Sequence, residues 1–334
     1  MACAPREVQA PEPVALPVAA APSTIADAEK LDTRSLDRET QRDFNGALDD
    51  AKQALTIRER LLPPDDVAIG RSLLRIARVY WMMGNYPELD NASSRALTAL
   101  EAKLGPDAVD VARALFLRGS VILHERRYRD ASPLFDRALA IFEKANGVDV
   151  DLFETICNTA VVAHGNSEYQ RAITIYQRSL DFGQKRFGAE SWRLGWPYGG
   201  IGEAYRMMGD YTRARTNLEC AVALHEQAPY VRYLSVSLNN LANLHYTVFR
   251  DYEKAEQLYR RAIEISESIY GTDDINTGQE YMNLASMLMA KGDFDNGEPL
   301  YKKGLDIFER KLGADHKDYV FQVNHLTQLR MRKP

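Results

Sequence analysis

The stretch "GWPYGGIG" carries Gly195, Gly199, Gly200 and Gly202 within eight residues. A glycine-rich turn can aim backbone N–H groups at a phosphate, but it does so between a strand and a helix. Six histidines (124, 164, 225, 245, 316 and 325) could ligate a metal. No two of them share a helix face with a carboxylate at ligand spacing. His124 and His164 fall at near-equivalent points of successive segments and would offer at most two ligands. Cys3, Cys157 and Cys220 are too few and too scattered for a disulfide framework or a zinc site. No Ser/His/Asp or Cys/His arrangement stands in a recognisable context. The expectation is therefore no catalytic residue, no metal and no cofactor.

The 334 residues are 45% hydrophobic and 27% charged, the balance of a soluble folded chain. A net charge of −5 does not suggest a nucleic-acid partner. No apolar run approaches the ~18 residues a membrane helix needs. Residues 1–24 stand apart. They hold prolines 5, 11, 13, 17 and 22 and few bulky apolar side chains, which predicts a disordered Ala/Pro-rich leader. Cys3 followed by this tether resembles the start of a mature bacterial lipoprotein, which would imply acylation of Cys3. No charged and apolar signal segment precedes it, so an incidental cysteine is the other reading. Localisation stays open: cytoplasmic, or periplasm and outer membrane if Cys3 is lipidated.

From there on the chain repeats. Phe44, Tyr86, Tyr128, Tyr169, Tyr211, Tyr252 and Phe294 are separated by 42, 42, 41, 42, 41 and 42 residues. Ten residues after each comes a small residue: Ala54, Ala96, Ala138, Ser179, Ala221, Ala262 and Gly304. Nine before lie Ala77, Gly119, Ala160, Gly202 and Ala285, and Ala242 joins them if the following turn holds one extra residue. Nineteen after come Gly105, Gly147, Gly188, Gly271 and Gly313. Segments such as "YEKAEQLYRRAIEISESIYG" space apolar residues by three and four, so each unit reads as two amphipathic helices. The trailing glycine supplies a left-handed helix end, and an acidic residue after it caps the next helix, as in "GPDAVD", "GTDDIN" and "GADHKD". One such pair cannot bury its apolar face alone, but a stack can. Gly202 then lies in a small-residue column of a first helix, and the opening glycines are packing positions.

The pattern resembles the tetratricopeptide repeat (TPR), in the 42-residue variety found in kinesin light chains. It is carried by "NLASMLMAKGDFDNGEPLYKKGLDIFERKLGADHKD" and by "LNNLANLHY". The resemblance implies an all-α TPR superhelical solenoid over residues 25–334, of about seven helix-turn-helix repeats plus a capping helix at 316–332. "DAEKLDTRSLDRETQRD" reads as a degenerate opening helix, Pro229 as a local break in the fifth repeat, and the capping helix as polar outside.

In this family the first helix of each pair lines the concave surface. Taking the small residue as reference, positions three before, one after and four after share the inward face, and the position six before lies at its N-terminal edge. That selects Arg71, Arg78, Trp81, Arg113, Phe116, Trp196, Glu203, Arg206, Asn239, Asn243, Tyr246 and Gln279 as a peptide-binding groove. Carboxamides can bond a peptide backbone, arginines can fork onto carboxylates, and rings supply anchors. Asn158, Asn240 and Asn283 could instead satisfy groups between repeats. The expected role is a non-catalytic adaptor for a peptide or extended protein segment. A lipid-anchored envelope scaffold and a small-molecule sensor or enzyme are the alternatives.

Overall fold

The computed structural model describes residues 24–228 and 232–331. Leader residues 1–23, with Cys3, and Pro229 lie outside the described residues, while Thr24 caps the first helix. The described chain forms fifteen α-helices and no strand, in two compact units that meet in sequence at Pro106.

The first unit holds α1 (Ile25–Thr40), α2 (Phe44–Leu61), α3 (Val67–Met83) and α4 (Tyr86–Leu104). The second begins with α5 (Val109–His124), α6 (Tyr128–Phe142), α7 (Asp149–Gly165) and α8 (Tyr169–Phe187). It continues with α9 (Gly195–Met207), α10 (Tyr211–Glu226), α11 (Arg232–Leu244) and α12 (Tyr252–Tyr270). It ends with α13 (Ile275–Lys291), α14 (Phe294–Leu312) and α15 (Lys317–Arg330). Within each unit odd and even helices pair as hairpins, and each hairpin packs on the next.

The small columns are where these helices touch. Ala54, Ala77, Ala96, Ala138, Ala160, Ala221, Ala242, Ala262 and Ala285 are completely buried. A Cβ on Gly202 would come within 2.7 Å of Leu218, and one on Gly304 within 2.4 Å of the Gly278 carbonyl oxygen. Such contacts leave no room for even a methyl group. The stretch from Gly195 is helical, preceded by a 3₁₀ turn at Trp192–Leu194 rather than a strand. Gly195 and Gly200 give way to the His225 and Tyr176 rings, which an added Cβ would meet at 2.4 and 2.2 Å. Only Gly199 has space, its nearest neighbour being Ala221 at 3.8 Å.

Every hairpin turn passes through positive φ two residues before its aromatic, at Arg42, Gly84, Arg126, Ser167, Gly209, Arg250 and Gly292. Four of these are not glycine, so the hairpin overrides the local preference against this region. Asp43, Asn85, Asp210, Asp251 and Asp293 cap the helix that follows, each accepting a bond from the third helical N–H. The trailing glycines depart from the expected left-handed geometry. Gly188, for example, has φ 89° and ψ 156°, a region open in practice to glycine alone. First-helix caps also differ in part. Asp274 of "GTDDIN" caps α13 as expected, whereas Ala108 holds the cap position of α5 without a side-chain bond and His316 caps α15. Asp107 and Asp315 each stand one residue too early to occupy the cap.

The extra residue of the sixth repeat is absorbed by a π-helical turn at His245–Phe249, closed by Arg250 at φ 56°. A π turn holds one more residue than an α turn, which restores register for Tyr252. The outer face of α15 is less polar than expected, with Val320 44% and Phe321 65% exposed. Its buried side, Leu326 and Leu329, joins Tyr301 and Phe308 in the terminal core.

Candidate functional site

The face selected by helical spacing can be followed residue by residue. In the first unit Arg71 is exposed and Arg78 lies 5.9 Å from the Trp81 ring. Beneath them is a buried charge network. Arg58 donates to Ser72 at 2.6 Å and Asp32 at 2.5 Å, and burial raises the Glu39 carboxyl pKa against the opposing pull of Arg75 and Arg78.

In the second unit Arg113 is tied to Asp110 and Asp151. Phe116 is a correction: it is 5% exposed, its ring edge-on to Phe135 at 5.9 Å. Its column, three before the small residue, is also buried at Leu74, Cys157 and Met282. The partner helix of the same hairpin covers that edge, as Phe135 of α6 does for Phe116 and Ser179 of α8 for Cys157, while Asn239 of the same column stays half-buried. Trp196 is half-buried against the Phe153–Tyr176 core.

Asn239 and Gln279 enter a relay. The Tyr301 hydroxyl donates to Gln322 Oε1 at 2.6 Å, and Gln322 Nε2 to Gln279 Oε1 at 3.1 Å. Gln279 Nε2 donates to Asn283 Oδ1, and Asn283 Nδ2 to Asn239 Oδ1, both at 2.9 Å. Four side-chain hydrogen bonds thus run in one direction across α14, α15, α13 and α11, and such chains polarise one another. Asn283 does join adjacent repeats, through side chains. Asn243 accepts from the buried Tyr259 hydroxyl at 2.6 Å, and Tyr246 packs partly buried beside it with its ring 6.2 Å from Tyr252.

Polar atoms left over lie toward α7 and α9. Glu203 holds Arg206 through Oε2, at 3.0 Å to Nε and 2.9 Å to the terminal nitrogen. Its Oε1 is buried with no hydrogen-bond partner, as is His164 Nε2. The His164 ring stands edge-on to Tyr169 at 5.2 Å. Burial lowers its pKa; Glu203 opposes that effect and Arg206 reinforces it. The imidazole is therefore held neutral, with one ring nitrogen able to accept a hydrogen bond.

Glu280 was missed in the sequence. It sits five before the small residue, where the other repeats carry Ser72, Ala114, Thr155, Pro197 and Ser237. Ser72 meets Arg58, and Ser237 meets His225 Nδ1 at 2.7 Å. The position of α12 equivalent to Arg58 and His225 is Ser266, already engaged with Ser235 at 3.1 Å. Glu280 is left 8% exposed with Oε2 unpartnered, and burial pushes its carboxyl pKa up to about 8. A carboxylate in a column of small buried residues was the signal available. Among the described residues, no three His, Cys, Asp or Glu side chains are grouped to hold a metal ion, and no helix is long and apolar enough to cross a membrane.

Two sequence profiles described as tetratricopeptide repeat match the chain, one over residues 69–144 and 151–227 and the other over 39–68, 234–276 and 281–318. The chain belongs to the tetratricopeptide repeat family. Solved TPR-like structures share the fold at low identity. BtubC (BKLC) from P. vanneervenii is 18% identical, with TM-score 0.52 over 68% of this chain and 92% of its own. A Rap protein complexed with Competence and Sporulation Factor is 13% identical, with TM-score 0.65 over 89% of this chain and 76% of its own. The apo quorum sensor NprR from B. thuringiensis is 17% identical, with TM-score 0.63 over 84% of this chain and 76% of its own. Comparison with curated protein sequences finds no match.

Proposed function

We propose that this TPR protein is a non-catalytic interaction scaffold whose second unit holds a peptide or extended protein segment on its first-helix face. The observation that carries this reading is the state of that face. Around the interlocked carboxamides, Val236 is 58% exposed, while His164 Nε2 and Glu203 Oε1 lack partners. A binding surface needs both: groups fixed in place and groups with hydrogen-bonding capacity to spare. Support of a weaker kind comes from the fold, which in the Rap protein above is seen complexed with Competence and Sporulation Factor.

The test is selection of a random heptapeptide display library on the immobilised chain. Binders are expected, and Val236→Asp or Tyr246→Ala should weaken them about tenfold or more, the effect of losing an interface anchor. Arg178→Ala, which removes an outer ion pair to Glu143, should leave them unchanged. Recovery of no binder, or equal loss in the Arg178 variant, refutes the proposal.

A further inference from the structure

Most polar groups on the first-helix face of the second unit are matched. Arg113 is tied to Asp110 and Asp151, Asn239, Asn283 and Gln279 to one another, and Asn243 to Tyr259. His164 and Glu203 break that pattern. They project from α7 and α9, helices that pack directly on each other, and each has a buried atom with nothing to bond. Glu203 Oε1 is an acceptor by chemistry. The neutral imidazole of His164 contributes a second acceptor when its proton sits on the other ring nitrogen. The deficit is therefore one of donors.

The neighbours do not supply them. Arg206 bonds Glu203 Oε2 through Nε and a terminal nitrogen, and none of its N–H groups reaches Oε1. The Tyr169 ring meets the His164 ring in a T-shaped contact at 5.2 Å that leaves Nε2 without a hydrogen bond. The two atoms are themselves covered, but they lie under a partly open surface, the Glu203 side chain keeping 21% of its area exposed and Arg206 28%. Arg206 orients the carboxylate, and Tyr169 orients the ring. Two acceptors so held, one of them a carboxylate oxygen, suit a cationic group with several donors and no acceptor, an ammonium or a guanidinium.

We infer that His164 and Glu203 form a subsite for a basic side chain, lysine or arginine, of the segment bound by the second unit. This rests on the peptide-binding reading above and adds its chemistry. The basic group donates to Glu203 Oε1 and His164 Nε2 together, while Arg206 keeps its bond to Oε2. An apolar or acidic residue at that point of the ligand leaves both acceptors buried and unpaired, and a neutral amide can bond them but brings no charge to meet Glu203, which makes the subsite selective as well as attractive.

The peptides selected from the random heptapeptide library provide the test. On the wild-type chain they should share lysine or arginine at one fixed position, and changing it to glutamine should weaken binding about tenfold, as for a hydrogen-bonded charge pair. On Glu203→Gln, which retains an oxygen for Arg206, the same change should cost less than about threefold. His164→Gln is a second, independent arm and should also shrink the effect. Selected peptides without a fixed basic residue, or an undiminished tenfold effect in both variants, would overturn the subsite while leaving the groove intact. Failure to select any peptide would remove the groove and the subsite with it.

Discussion

Glu280→Gln should stabilise the protein, and by an amount that depends on pH in a defined way. Burial raises the Glu280 carboxyl from an ordinary 4.5 to about 8. Between those values the folded chain holds a proton that the unfolded chain has released. Stability therefore falls as pH rises through this window, by 1.36 kcal/mol per pH unit. Below pH 4.5 both states are protonated and nothing is lost. At pH 7 the loss amounts to about 3 kcal/mol, and above pH 8 it levels off. Glutamine has nearly the shape of the protonated acid and escapes the whole penalty. Guanidinium unfolding of wild type and variant, followed by circular dichroism from pH 4 to 8.5, should show curves that coincide at pH 4 and diverge steadily above pH 5. A carboxyl signal titrating near 8 in carbon NMR, absent from the variant, would identify the group. Parallel curves at all pH values, or no carboxyl titrating above 6, would refute the reasoning.

Other outcomes follow from single contacts. His225, with Nε2 unpartnered and burial lowering its pKa from 6.5 to about 4, has the opposite sign: stability falls as pH drops through 6.5 toward 4. The Glu280 and His225 slopes oppose each other between pH 4.5 and 6.5, so His225→Gln should make stability fall more steeply with rising pH across that interval than it does in the wild type. Ser167→Gly should stabilise by about 1 kcal/mol, because Ser167 sits at φ 65° and glycine removes the left-handed penalty; unchanged thermal melting would contradict this. Gly195→Ala should destabilise by about 1–3 kcal/mol, since its Cβ would strike the His225 ring at 2.4 Å, read as a lower denaturation midpoint. Lys317 at the start of α15 reaches the carbonyl of Glu125 at the end of α5, 3.5 Å away, so cysteines at 125 and 317 should be joined by a short bis-maleimide in dilute solution. An absence of intramolecular product would place those ends apart.

The period was legible because its columns are steric. Ala77, Ala160 and Ala285 are small since a second helix lies against them, and a spacing of forty-two records that contact without reference to charge or ligand. The inserted residue after Ala242 was legible for the same reason, and the π turn at His245–Phe249 is how the chain absorbs it. Phe116 shows where a helical wheel stops. It gives the direction of a side chain but not the partner-helix ring, Phe135, that packs against it. Partners were equally hidden: the relay from Tyr301 to Asn239 joins residues on four helices, and Gln322 carries no local mark of belonging to it. The four non-glycine turns escaped notice because hairpin packing, not the residue at the turn, fixes φ there. Glu280 could have been read from its column, whereas the solitary state of His164 Nε2 and Glu203 Oε1 emerges only with all neighbours in place.

The central claim is that a ligand segment lies on the first helices of the second unit. A library-selected peptide carrying a benzophenone, photo-crosslinked to the full chain and mapped by mass spectrometry, tests it most directly. Labels on α7, α9, α11 and α13 are expected, with residues near Glu203, Val236 and Tyr246 foremost. Labels confined to α8, α10, α12 and α14 would contradict the account.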